Sequence, residues 1–109
     1  MEMDLQDRDV RRLCEVIARL DDPDMVAAFL EDLCTIREIQ DFAQRLSVAG
    51  MLDAGEPYTA ISDKTGASAT TIARVSKCLN HGAGGYRYVL DNIPDVGGAP
   101  PDGAAGPGA

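Results

Sequence analysis

From residue 7 onward, apolar positions recur at steps of three and four. Val10, Leu13, Cys14, Ile17 and Leu20 form one stripe, which predicts a helix over residues 7–20. Asp21-Asp22-Pro23 interrupts it. Asp22 is placed to cap a second helix and Pro23 to occupy its first turn. That helix presents Met25, Val26, Phe29, Leu30 and Leu33. Thr35-Ile36-Arg37-Glu38 has the T-x-x-E pattern of a capping box, in which hydroxyl and carboxylate satisfy orphan N–H groups reciprocally. It opens a long helix with Ile39, Phe42, Ala43, Leu46, Met51 and Leu52 on its apolar side, ended by Gly55 and Pro57. Two shorter helices follow, over residues 58–65 and 68–80. A last one, over 86–93, comes after Gly82-Ala83-Gly84-Gly85. No stretch alternates with the two-residue period of a strand, and no internal repeat is present. The fold class is all-α.

The chain has 109 residues, enough for a single domain. Residues 1–93 make a helical domain. Residues 94–109, nearly all Gly, Ala and Pro, cannot bury enough apolar surface to offset the entropy of ordering and are expected to be disordered. Only 5% of residues are aromatic and Trp is absent, so the core must come from Leu, Ile, Val, Met and Ala. A core that modest in a helical protein is expected to be completed across a homodimer interface.

The net charge of -8 argues, taken alone, against a nucleic-acid partner, because phosphate binding requires local positive charge. The distribution reverses that. Residues 1–55 hold 6 basic and 13 acidic side chains. Residues 56–90 hold Lys64, Arg74, Lys77 and Arg87 against Glu56 and Asp63, the only basic stretch. Cys14, Cys34 and Cys78 are odd in number and lack CxxC spacing, so neither a disulfide framework nor a zinc site is indicated. The acidic first nine residues are not a signal peptide, and no apolar run approaches a membrane span. The expected location is cytoplasmic, without membrane association. His81, the one histidine, sits at a helix end, where it serves as a cap or dipole partner. Asp21-Asp22-Pro23-Asp24 lacks EF-hand spacing and is explained by capping. No acid, base and nucleophile come together, so no enzyme, metal or cofactor is expected.

The informative stretch is residues 61–75, ISDKTGASATTIARV. Ser62 is small where crossing helices approach, Gly66 supplies a positive φ for the turn, and Ser68 caps the second helix. Ile72, Val75 and Leu79 share one face of that helix and are expected to pack inward. A helix-turn-helix over residues 58–80 follows, with Ser68, Ala69, Thr70, Thr71, Ala73, Arg74 and Lys77 as its DNA-contacting set. Short side chains at the helix tip admit close approach to base edges. Threonines offer hydroxyls and methyls, and Arg74 and Lys77 reach phosphates or guanine edges.

At these residues the chain resembles the YerC/YecD family of Trp repressor-like proteins. The resemblance runs over Thr65-Gly66-Ala67-Ser68-Ala69-Thr70-Thr71-Ile72-Ala73-Arg74-Val75 and Lys77-Cys78-Leu79-Asn80. It extends to Phe29-Leu30-Glu31-Asp32-Leu33-Cys34-Thr35, Gln44-Arg45-Leu46, Gly85-Tyr86 and Val89-Leu90-Asp91, covering residues 24–91. It implies an intertwined homodimer whose helix-turn-helix units bind operator DNA, with recognition helices about one DNA turn apart.

The same resemblance bears on a corepressor. Thr35 and Arg45 match a threonine and an arginine that face tryptophan in the Trp repressor, and Arg74 matches the arginine that stacks on its indole. Val75, however, replaces a glycine that lets the indole lie close. Cys78 replaces a serine that helps hold the amino group, and a thiol is a weaker partner. Thr35, Arg45, Arg74, Val75 and Cys78 thus read as a vestigial ligand pocket. The leading function is a site-specific, dimeric DNA-binding regulator, a repressor that does not use tryptophan. The acidity also admits a protein–protein interaction module on a helix-turn-helix scaffold, and a third reading is a regulator gated by another small ligand. Calorimetry with L-tryptophan is expected to show no saturable binding; micromolar affinity would overturn that reading.

Overall fold

A computed structural model describes residues 7–96. Among them are six helices: α1 (Arg8–Arg19), α2 (Pro23–Leu33), α3 (Ile36–Asp53), α4 (Tyr58–Thr65), α5 (Ala69–His81) and α6 (Gly85–Asn92). The chain divides into two compact units, Met1–Ile39 and Gln40–Ala109, so α3 begins in the first and ends in the second. Of the tail expected to be disordered, residues 97–109 lie outside the described residues; residues 94–96 form a turn, with Asp95 at φ 64°.

In the first unit, helix boundaries follow the capping chemistry. Asp7 accepts from the N–H groups of Asp9 and Val10, and Asp22 from that of Asp24, with Pro23 in the first turn of α2. At α3 the box forms in both directions. The Thr35 N–H donates to the Glu38 carboxylate at 2.8 Å, and the Glu38 N–H donates to the Thr35 hydroxyl at 3.1 Å. Neither α1 nor α2 contains a buried residue. Leu13, Val16 and Ile17 on α1 and Met25 and Leu33 on α2 are all exposed in the single chain.

The second unit holds the core. Val48, Ala49, Ile61, Ala67, Ile72 and Val75 are buried, and Met51, Leu52, Tyr86 and Leu90 pack against them. α4 packs on α5, and α5 on α6. Helices of eight residues such as α4 and α6 are too short to persist alone and depend on this packing. The inward face of α3 differs from the periodicity reading. Ile39, Met51 and Leu52 are half-buried as that reading expects, but Phe42, Ala43 and Leu46 are exposed, and the buried positions are Val48, Ala49 and Gly50. The C-terminal end of α3 is where α4 and α5 close over it, so small residues are needed there and larger ones are left uncovered upstream.

Ile61 is fully buried in a core of six side chains. Ile61→Ala is expected to cost about 2–5 kcal/mol in urea denaturation, and a loss below about 1 kcal/mol would show that this core does not hold the unit together.

Candidate nucleic-acid interface

The turn between α4 and α5 is tied by side chains as well as by its glycine. Gly66 ends α4 at φ 76°, and its N–H donates to the Ser62 carbonyl at 2.8 Å. The Ser62 hydroxyl donates to the Ala67 carbonyl at 3.0 Å. The Thr65 hydroxyl donates back to the Ile61 carbonyl at 2.7 Å and accepts from the Ala67 N–H at 3.1 Å. From α3, the Gln44 amide donates to the Thr65 carbonyl at 3.1 Å. Ala67, in the turn, is 2% exposed. Ser62 is therefore a hydrogen-bonding latch as well as a small residue. Thr65 and Gln44 are positioning residues that sequence reasoning missed. Thr65 carried a usable signal, since hydroxyls near a helix end often bond back to the carbonyl four residues earlier. Gln44 carried none, because its partner lies 21 residues away.

Ser68 caps α5. Its hydroxyl accepts from the Thr71 N–H and donates to the Thr71 hydroxyl, both at 3.1 Å. The Ser68 hydroxyl is thereby engaged as donor and acceptor and the Thr71 hydroxyl as acceptor, and Thr71 is half-buried. Ile72 and Val75 are buried and Leu79 half-buried, as the inward face requires. Ala69, Thr70, Ala73, Arg74 and Lys77 are exposed. Thr70, Ala73 and Lys77 fall three and four residues apart and so share one stripe of α5. Among the described residues, Arg74 and Lys77 make no ion pair. Lys64 is held by Glu56 at 2.6 Å, and Arg87 by Asp53 at 2.5 Å and Asp91 at 3.4 Å.

Arg74 and Cys78, one turn apart, line a cavity of about 290 Å³ with Phe42, Arg45, Leu46, Val75 and Tyr86. Four of the five residues of the predicted ligand pocket, Arg45, Arg74, Val75 and Cys78, thus meet at one cavity. Thr35 belongs to the first unit, where its hydroxyl makes the α3 cap. The Arg45 guanidinium lies 5.2 Å from the Phe42 ring centroid, within cation–π range. The three cysteines are free, with Cys14 and Cys78 exposed and Cys34 half-buried. Among the described residues, no three His, Cys, Asp or Glu side chains are grouped to hold a metal ion, and no helix is long and apolar enough to cross a membrane.

The sequence matches the family model of the Trp repressor protein over residues 8–93. It is 44% identical over 97 residues to the protein YerC of Bacillus subtilis (strain 168), spanning 88% of this chain and 93% of that one. Its structure is similar to that of a TrpR-like protein from Eubacterium eligens ATCC 27750. The TM-score is 0.79 at 43% identity, covering 82% of this chain and 92% of the other. It is similar too to a protein from Staphylococcus aureus described as a candidate Trp repressor. There the TM-score is 0.78 at 35% identity, covering 84% and 95% of the two chains.

Tyr86 has its phenol pushed above the ordinary tyrosine range by burial, partly offset by the Arg45 guanidinium, with Cys78 adding to the rise. A phenol harder to ionise in the folded state stabilises the fold below its unfolded pKa of about 10, and this contribution is lost as pH rises through the higher folded value. The urea midpoint is therefore expected to fall as pH rises past about 10, less steeply in Tyr86→Phe. An identical alkaline profile in the variant would remove Tyr86 as the cause.

Proposed function

The chain belongs to the Trp repressor protein family, and from that premise we propose that it is a site-specific, double-stranded-DNA-binding transcription regulator. It acts as a homodimer and a repressor, with α4 and α5 as its helix-turn-helix and α5 in the major groove. One observation carries this reading. On α5 the Ser68 cap, the buried Ile72–Val75 face and an outward face with two cations free of carboxylate partners all coincide on one helix. Elsewhere in the second unit, Lys64 and Arg87 are neutralised by acidic neighbours. The proposed DNA-contacting set is Ser68, Ala69, Thr70, Thr71, Ala73, Arg74 and Lys77. Ser68 and Thr71 act in it through the cap, holding the helix tip, while the others face the groove.

Homodimerisation is supported by the first unit. Its helices bury no residue in the single chain and leave Leu13, Val16, Ile17, Met25 and Leu33 uncovered. Apolar surface of that extent on paired amphipathic helices is what subunit association covers. A two-fold dimer of helix-turn-helix units reads half-sites about one DNA turn, roughly 34–36 Å, apart. The acidity of residues 1–55 lowers non-specific affinity and leaves recognition to α5. Tryptophan is not the corepressor in this reading. Val75 and Cys78 stand at the cavity beside Arg45 and Arg74, where the resemblance implies a glycine and a serine.

Fluorescence anisotropy on duplexes selected from a random library tests the proposal. Arg74→Ala and Lys77→Ala are each expected to weaken binding about tenfold, and Lys77→Ala to reduce the salt slope by about one. Lys64→Ala, whose cation is already paired, is expected to change affinity less than either. Binding that ignores salt and both substitutions would favour a protein–protein interaction module instead.

A further inference from the structure

We infer that the protein selects its operator through the 5-methyl groups of thymines, read by the methyl-bearing tip of α5: Ala69, Thr70 and Ala73. The inference rests on the DNA-binding reading above and adds the class of half-site it requires. Hydrogen bonds already made within the turn lead to it. The Ser68 and Thr71 hydroxyls are engaged with each other and with the α5 cap. The Ser62 and Thr65 hydroxyls are turned onto backbone carbonyls, and Lys64 is held by Glu56. In the first turns of α5 the exposed hydroxyl is that of Thr70, Thr71 being half-buried beside the cap, on an outward face otherwise made of the Ala69 and Ala73 methyls. Arg74, which also borders the cavity with Cys78, is more than one turn from the tip, and Lys77 is two turns from it.

Bidentate hydrogen-bond readout of a base edge uses long side chains, Arg or Lys on guanine and Asn or Gln on adenine. The tip of α5 has none. Its short side chains instead let the backbone approach closely and present carbon. In the major groove of unmodified DNA, the thymine methyl is the apolar group that such a surface meets. Beside Ala69 lies a notch of about 230 Å³ lined also by Tyr58, Thr59, Ser62 and Ile72, which gives a methyl an apolar seat at the mouth of the turn.

Replacing each thymine of a selected site, one at a time, by deoxyuridine deletes the methyl and nothing else, and needs no protein variant. At one or more positions in each half-site, affinity is expected to fall about fourfold, the worth of one methyl-sized apolar group. Thr70→Ser, which keeps the hydroxyl, is expected to bind thymine and uracil duplexes equally at the position it serves. Uracil duplexes bound as tightly as thymine duplexes throughout, or selected half-sites without thymine, would overturn the inference and leave DNA binding standing. Failure to enrich any duplex would remove the DNA-binding reading, and the thymine inference with it.

Discussion

The burial of Ile61, Ile72 and Val75 with Val48 and Ala49 is the interaction on which the second unit depends. It joins the end of α3 to α4 and α5 and so determines how the helix-turn-helix stands on its support. One of the helices it joins, α4, has only eight residues, as does α6, which packs on α5, and helices that short have little intrinsic stability. Their geometry is a consequence of packing more than of propensity. With no aromatic ring fully buried, each branched aliphatic side chain carries a large share of the apolar surface removed from water.

Packing alone would leave the angle of α5 soft. The turn hardens it with hydrogen bonds from Ser62, Thr65 and Gln44 and with the left-handed backbone at Gly66. These groups use polar atoms that a solvent-facing turn would leave to water, and they tie the α5 tip to the C-terminal end of α4. The same economy bears on recognition. Hydroxyls committed to the scaffold do not reach a ligand, so the outward face is defined by what remains: short apolar side chains near the tip and cations farther along. Electrostatics follow the same division. Cations beside carboxylates serve the fold, as Arg87 does with Asp53 and Asp91, whereas Arg74 and Lys77 project without such partners.

The first unit presents a different balance. Its helices are precisely capped by Asp7, Asp22, Thr35 and Glu38, so local interactions specify where they begin. They nevertheless bury nothing completely within one chain. Local order without a core is consistent with a segment whose packing is completed by association, as the proposed homodimer would supply. The contrast with the second unit matches the division of the proposed reading, in which one half presents the recognition helix and the other keeps apolar stripes for assembly.

Helix positions, caps and the inward face of α5 were legible in the sequence, because each depends on neighbours within about four residues. Asp22 with Pro23, the Thr35–Glu38 box, Gly66, and Ser68 ahead of Ile72 and Val75 all announced themselves by spacing. The family was legible too, since its motifs lie in the same local stretch. The apolar face of α3 was not. Phe42 and Leu46 satisfy helical periodicity as well as Val48 and Ala49 do, and only the closure of α4 and α5 over the far end decides which are covered. Nor could spacing foresee that Gln44 would reach Thr65, that Glu56 would hold Lys64, or that Tyr86 would join the cavity of Arg45, Arg74 and Cys78, residues that only the family resemblance had grouped. Gln44 and Thr65 are 21 positions apart, Glu56 and Lys64 are 8, and Arg45 and Tyr86 are 41. The sequence by itself determined the helices and their ends, whereas the tertiary structure decided which side chains meet, because only packing brings distant residues within reach.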